Sequence, residues 1–457
     1  MVAEDIRYLL EKAFYIARSG RPGPVLIDIP MNFQRAQIES KKLRRFEKSE
    51  IKLDIDTKKI IKDKINKAIA LIKKAKRPVV IAGGAVRYAD KIKEFDEFIK
   101  LLSFPVVATW SGIDVVSHDH SLYRGQTGVY GNRGANFTVQ NSDCIISIGS
   151  RLDTRITGGR PETFGREAKK IVVDIDRAEL YKNRGLTPDI GICGDVRDVL
   201  PLFVNELKKE KIQKVARWLK KTKQWIEQYP AVLPEWRKRD RLVNPYYFIE
   251  VLCQVLPNNA ITVTDCGGNL TWTIQAFHVK KGQRLFSAMG NSPMGYSFPA
   301  SLGASIALGK KPIICIIGDG GMQINLQELQ TMVHYKIPVK LFILNSNSYA
   351  IIMQFQKEWF ESKFYGSIPE KGYSAPDFTK IAKAYNLPVI RIDSHKNLKS
   401  KIEKVLNHKG PIVCEVMVPH DSPLVPKVSF GRPIEDQSPL LPRDEFKKNM
   451  LIKPLKG

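Results

Sequence analysis

Several features are missing from this sequence of 457 residues. No run of 18 apolar residues occurs, so no helix is expected to span a bilayer. The first residues, MVAEDIRYLLEKAFYIARSG, read as an amphipathic helix of mixed charge. They lack the apolar centre and cleavage site of a secretory signal, so we expect a cytoplasmic protein with no membrane partner. There is no CxxC pair and no Cys/His cluster. The six cysteines (Cys144, Cys193, Cys253, Cys266, Cys315, Cys414) are scattered, as free thiols in a reducing compartment would be. Acidic residues are few: 47 Asp and Glu against 73 Lys and Arg, a net charge of +26. In 58–77 (KKIIKDKINKAIALIKKAKR) Ile60, Ile61, Ile65, Ala68 and Ile72 keep helical spacing, which leaves the lysines on the outer face. No basic patch interleaved with aromatics and no nucleic-acid motif appears. We therefore expect no nucleic-acid partner and a positive field suited to small anions.

What is present is a strong local pattern at 313–354, IICIIGDGGMQINLQELQTMVHYKIPVKLFILNSNSYAIIMQ. Residues 313–317 are fully apolar and run into Gly318-Asp319-Gly320-Gly321, as a buried parallel strand does. Leu326, Leu329, Met332 and Val333 follow helical spacing, and 339–344 form a second apolar strand. A right-handed strand–helix–strand crossover places both following loops at one carboxyl edge, where open α/β sheets bind ligands. Glycines let the backbone approach a phosphate, while one carboxylate and neighbouring oxygens hold a hard cation such as Mg²⁺. A metal-bridged diphosphate is the expected ligand.

This constellation resembles the diphosphate motif of thiamine-diphosphate enzymes, Gly-Asp-Gly followed by an Asn pair. Segments 21–34 (RPGPVLIDIPMNFQ), 149–158 (GSRLDTRITG) and 294–299 (MGYSFP) extend the likeness to acetolactate synthases and related 2-oxoacid carboligases over nearly the whole chain. The resemblance implies that Gly318, Asp319, Gly320, Gly321 and Tyr349 bind thiamine diphosphate and that Asp319 binds the metal. The second Asn of the family's pair is Ser346 here, a poorer donor than an amide oxygen; Asn345 or Asn347 is the alternative after a loop shift. Ser348 supplies a backbone oxygen. Gly267, Gly268 and Asn269 match a further diphosphate loop, where the family's Gln-His is Gly-Asn. Met294, 25 residues before Asp319, matches the apolar residue that bends the cofactor; a core methionine is the plain alternative.

The expected fold class is α/β, with two parallel-sheet domains. Residues 1–42 read as the end of a pyrimidine-binding domain, with one helix and a strand at 25–29. Residues 43–205 form a Rossmann-like domain, with strands near 78–82, 105–109, 144–149, 171–175 and 190–194. Residues 206–243 are a basic helical linker, 244–420 the diphosphate-binding domain and 421–457 a tail. The tail either closes over the site or drapes the surface. The glutamate that activates the cofactor in this family has no counterpart here, so no catalytic residue is assigned within the chain.

By the same resemblance the central domain binds FAD, ADP or nothing. The positions matching flavin contacts are Gly83, Gly84, Thr109, Gly149, Arg151, Asp153, Arg155, Asp174, Ile175, Asp195 and Val196, and we expect FAD. Asp174 reads equally well as a ribose contact or a helix cap. The family's Met-His pair is replaced by Val129-Tyr130. Phe355 stands where acetolactate synthases place Trp at the substrate entrance; with Gln354 it either shapes acceptor choice or packs on its helix. The implied activity is decarboxylation of pyruvate and transfer of the two-carbon unit to a second carbonyl compound. The acceptor is a 2-oxo acid or, alternatively, a keto-sugar or aldehyde. A third reading is a cofactor-binding partner that is inactive alone. The family assembles its sites between subunits, so we expect a homodimer or tetramer, or a separate chain supplying the pyrimidine-binding domain.

Overall fold

The computed structural model describes residues 2–182, 184–238 and 241–455. Two six-stranded sheets, each wholly parallel, organise the chain. The first holds β1 (Pro78–Ala82), β2 (Val106–Ala108), β3 (Tyr123–Gln126), β4 (Cys144–Ile148), β5 (Lys169–Asp174) and β6 (Ile190–Cys193), in the order β3-β2-β1-β4-β5-β6. That is the doubly wound arrangement of dinucleotide-binding domains. Helices cover both faces because β1 and β4 are buried along their full length. Helix Lys58–Ile72, capped by Thr57, turns Ile61, Ile65, Ala68, Ile69 and Ile72 inward and leaves its lysines outside.

The second sheet holds β7 (Ile261–Thr264), β8 (Arg284–Phe286), β9 (Ile313–Gly318), β10 (Val339–Asn345), β11 (Val389–Ile392) and β12 (Ile412–Met417), ordered β11-β12-β10-β9-β7-β8. From β7 the chain crosses to β8 on one side, then returns to β9 on the other. The loops leaving β7 and β9 therefore diverge and open a crevice between them. β9 and β10 pair in register from Val339 opposite Ile313 to Leu344 opposite Gly318, so the two loops read from the sequence leave the sheet side by side.

One expectation needs correction, and two features were not foreseen. Residues 25–29 are not a strand: among the described residues none lies beside them to complete a ladder, and Leu26 is almost fully exposed. β3 was not expected, because Tyr-Arg-Gly-Gln has no apolar run; its Arg124 instead bonds Thr222 and backbone carbonyls. From the sequence no elements are assigned to the tail. It contains a two-stranded hairpin (Lys427–Val428 with Gln437–Ser438) and a helix, Arg443–Asn449. Linker helix Ala216–Gln228 packs into the first domain, where the Trp218 indole donates to the Pro78 carbonyl and Trp225 to Asn449 Oδ1. Among the described residues no helix is long and apolar enough to cross a membrane.

Candidate active site

A cleft of about 760 Å³ opens at the crevice between β7 and β9. Its floor is the motif read from the sequence. Asp319 opens a short helix directly after β9 and is buried. Burial pushes its carboxyl up to about 7, against hydrogen bonds from the Gly320 amide, Tyr373 and the Ser348 amide that pull it down. Its Oδ2 is buried without a hydrogen-bond partner. An orphaned carboxylate oxygen costs free energy unless a cation or donor meets it, so the residue fits a metal. Among the described residues no group of three or more His, Cys, Asp or Glu could hold an ion by itself. A metal here would share its coordination with a diphosphate, as Mg²⁺ commonly does.

Ser346 and Ser348 lie across from Asp319 at the end of β10, both buried and both lining the cleft. Ser346 Oγ donates to the Ser348 carbonyl at 3.0 Å and accepts from Ser348 Oγ at 3.1 Å. The alternatives Asn345 and Asn347 are engaged elsewhere. Asn345 donates to Glu415 at 2.8 Å, and Asn347 Oδ1 accepts from the Ala375 amide at 2.9 Å. Ser346 therefore keeps the position facing the cleft.

The glycines have separate reasons. A Cβ on Gly320 would overlap the Tyr349 ring and sit 3.2 Å from Met294 Cε. Tyr349, Met294 and the backbone of Gly320 thus converge on one patch of the cleft wall. Gly267 has φ +67° as it starts helix Gly267–Ala276, a conformation that costs other residues energy. Gly268 lines the cleft beside it. Asn269 lines the cleft as well, and its amide donates to the Ile316 carbonyl at 3.2 Å, joining β7 to β9. Phe355 lines the cleft from helix Ala350–Trp359. Gln354 turns to the tail instead and donates to the Leu424 carbonyl.

One residue of the site was not singled out in the sequence. Asp265, directly after β7, is buried, and its two oxygens accept the amides of Gly295 (3.0 Å) and Ser297 (2.9 Å). It clasps the loop that carries Met294, in which Met289 and Ser292 hold left-handed backbone. The same carboxylate abuts Gly321, leaving no room for a Cβ there. An acid at the carboxyl end of a strand, two residues before a glycine pair, was the available signal.

The residues matched to flavin contacts behave differently. Gly83 packs against the Gly149 backbone, and a Cβ on Gly84 would meet Ser111 at 2.8 Å. Thr109 bonds the Ala82 carbonyl. Asp153 and Asp195 cap helices Thr154–Thr157 and Val196–Leu207. Arg151 pairs with Asp153 at 3.2 Å and Glu179 at 3.9 Å. Asp174 accepts the Asp176 amide, and burial raises its carboxyl. Val196 is buried, and Ile175 accepts a contact from Cys193. Arg155 leaves this group altogether, lying over Trp110 at 5.3 Å in the cleft. Among the described residues no side chain of this set holds a buried polar atom without a partner.

Comparison with known families agrees with the geometry. Residues 65–203 match "Thiamine pyrophosphate enzyme, central domain" and residues 265–416 match "Thiamine pyrophosphate enzyme, C-terminal TPP binding domain". The chain belongs to the thiamine pyrophosphate enzymes. Among relatives in that family, the acetolactate synthase large subunit of Cyanidium caldarium is 33% identical over 442 residues, covering 94% of this chain and 72% of the relative. The probable acetolactate synthase large subunit of Methanococcus aeolicus is 33% identical over 437 residues, 92% and 71% of the two chains. Chloroplastic acetolactate synthase of Arabidopsis thaliana is 29% identical, covering 95% of this chain and 65% of its own length. The matched C-terminal segment begins directly after β7 and runs through β8 into β12, so the cleft floor lies inside the thiamine-pyrophosphate-binding domain of this family.

Proposed function

We propose that the chain is a carboligase of the acetolactate synthase type. It takes a 2-oxo acid such as pyruvate, releases CO₂ and joins the remaining two-carbon unit to a second carbonyl compound. The observation that carries this reading is the buried, partnerless Oδ2 of Asp319 at the β7–β9 crevice. Thiamine diphosphate, when bound, supplies the carbanion chemistry. The chain's own residues do the rest. Asp319, the Ser346 hydroxyl and the Ser348 carbonyl would hold Mg²⁺; the Gly318–Gly321 turn and the Gly267-Gly268-Asn269 loop would take the diphosphate at close range. Met294, on the loop that Asp265 clasps, would support the cofactor, and Phe355, which lines the same cleft, would contact the acceptor.

Three carboxylates line the cleft: Asp265, Asp319 and Glu358. The first holds backbone amides, the second is assigned to the metal, and the third is paired to Lys427. None is free to activate the aminopyrimidine. We therefore include in the proposal a cytoplasmic homo-oligomer, or a second chain, in which a neighbouring pyrimidine-binding domain brings that glutamate. Flavin has no step in this scheme; a protein that stays yellow after FAD reconstitution and desalting would assign one to the central sheet.

The test is calorimetric titration of the purified chain with thiamine diphosphate, with and without Mg²⁺, followed by a CO₂-release assay on pyruvate. Metal-dependent binding is expected. Absence of binding with excess Mg²⁺ refutes the proposal. Binding without pyruvate turnover, restored by an added pyrimidine-binding domain, assigns the chain as one half of the site.

A further inference from the structure

The turn after β10 carries Ser346 and Ser348, and the residue that shapes this turn lies on another strand. On one face of the second sheet, Leu341 and Ile343 of β10 join Val413 of β12 in an apolar cluster. Side chains two apart share a face, so Asn345 and Glu415 continue that face. Ile343 stands opposite Glu415 in the pairing, and Asn345 ends β10. Both polar residues are buried, Glu415 to 1% exposure. Asn345 Nδ2 donates to Glu415 Oε1 at 2.8 Å. Among the described residues Glu415 Oε2 has no hydrogen-bond partner; Arg391 Nη1 approaches it to 3.5 Å from a half-exposed side chain.

Stability does not ask for an acid here. The neighbours of Glu415 along the strand, Cys414 and Val416, are fully buried, and a buried polar group costs free energy that an apolar one does not. What the carboxylate provides is direction. It has acceptors and no donor, whereas the Asn345 amide has one side of each kind. Glu415 therefore takes the NH₂ side, and the Asn345 carbonyl oxygen turns the other way to accept the Asn347 amide at 3.0 Å. That bond closes the turn in which Asn347 holds left-handed backbone, φ +48°. Ser346 lies inside this turn and Ser348 directly follows it. The continuation of β12 holds the same turn by its backbone: the Val418 amide donates to the Asn345 carbonyl at 2.9 Å, and Ser348 Oγ donates to the His420 carbonyl at 3.1 Å. Neither of those bonds decides which way the Asn345 amide points.

We propose that Glu415 is a positioning residue of the metal site. Acting through Asn345, it sets the turn so that the Ser346 hydroxyl and the Ser348 carbonyl meet one cation together with Asp319. Glu415 itself touches neither metal nor substrate. The inference rests on the carboligase reading, in which those three residues hold the metal.

The experiment uses the full chain with thiamine diphosphate and Mn²⁺, which takes the same oxygen ligands as Mg²⁺ and is followed by electron paramagnetic resonance. Asn345→Asp removes the donor and sets one carboxylate against another. Mn²⁺ affinity should fall about tenfold, the lower end of what residues supporting a metal ligand commonly cost. The double variant Asn345→Asp with Glu415→Gln exchanges donor and acceptor at unchanged net charge, and should recover most of the lost affinity. The melting temperature of the metal-free chain is read for each protein. Tighter Mn²⁺ binding by Asn345→Asp would make position 345 a ligand and overturn the assignment. So would a folded double variant that binds no better than Asn345→Asp, or melting temperatures that fall while Mn²⁺ affinity stays at the wild-type value. Should the single variant not fold, the double variant decides alone: near wild-type affinity upholds the assignment, and a loss of about tenfold overturns it. Failure of wild type to bind thiamine diphosphate with either metal would overturn the carboligase reading and this inference together.

Discussion

The two sheets follow the same construction rule and end differently. Each is parallel, and each opens between strands where the order reverses, β1 and β4 in the first, β7 and β9 in the second. In the first, Gly83 lies against Gly149 and the nearby carboxylates cap helices or pair with Arg151. In the second, the glycine turns border a cleft and Asp319 keeps an oxygen without a partner. Topology thus nominates two crevices, and the second is the one whose glycine turn carries a buried carboxylate oxygen without a partner. Glycine at a strand end does not separate the cases, because close packing and close ligand approach require it equally.

Substitutions can break this contrast. The largest effect is expected from Asp319→Ala, which should weaken Mg²⁺-dependent thiamine diphosphate binding by about 100-fold or more, since even residues supporting a metal ligand commonly cost 10–100-fold; calorimetry reads it directly. Gly83→Ala and Gly320→Ala form a matched pair. Each forces a clash, and each should lower stability by about 1–3 kcal/mol in denaturant titration. Only Gly320→Ala should also abolish cofactor binding, and equal binding losses in both would erase the distinction between the two edges. Asp265→Ala should loosen the Met294 loop, raise its cleavage by a nonspecific protease and weaken the cofactor about tenfold, a scale set by leaving two buried amides without acceptors. The smallest change belongs to Ser346→Asn. An amide oxygen in place of the hydroxyl should tighten Mg²⁺ by no more than about tenfold, on the order of 1.4 kcal/mol.

Much of the second domain could be read from its residues. β9 is a continuous apolar run and β10 is apolar apart from Lys340 and the terminal Asn345, because both faces are covered, and that pattern survives in the sequence. The Gly-Asp-Gly turn, Ser346 and Met294 all come to one cleft. What was hidden depends on partners distant in the chain. β3 carries no apolar run, and its Arg124 is tied to Thr222, 98 positions further on. The Lys427–Glu358 pair joins positions 69 apart, with nothing local to announce it. Residues 25–29 failed in the opposite sense: the local pattern suits a strand, but a strand exists only by pairing. Gln354 and Phe355, adjacent in sequence, separate because successive helical residues point about 100° apart, one to the tail and one to the cleft.

The tail has a consequence for how the molecule is made. After completing the second sheet, the chain returns to the first domain: the Val428 amide donates to the Val129 carbonyl at 2.8 Å, and Arg133 bonds the Gln437 carbonyl. Phe446, Met450 and Ile452 then enter the same core as Trp218, Trp225 and Phe137. The domain built on the first sheet therefore waits for residues 446–452 before its interior is closed. At 5–20 residues per second, a nascent chain spends about ten seconds or more with that interior open, while the second domain emerges beside it.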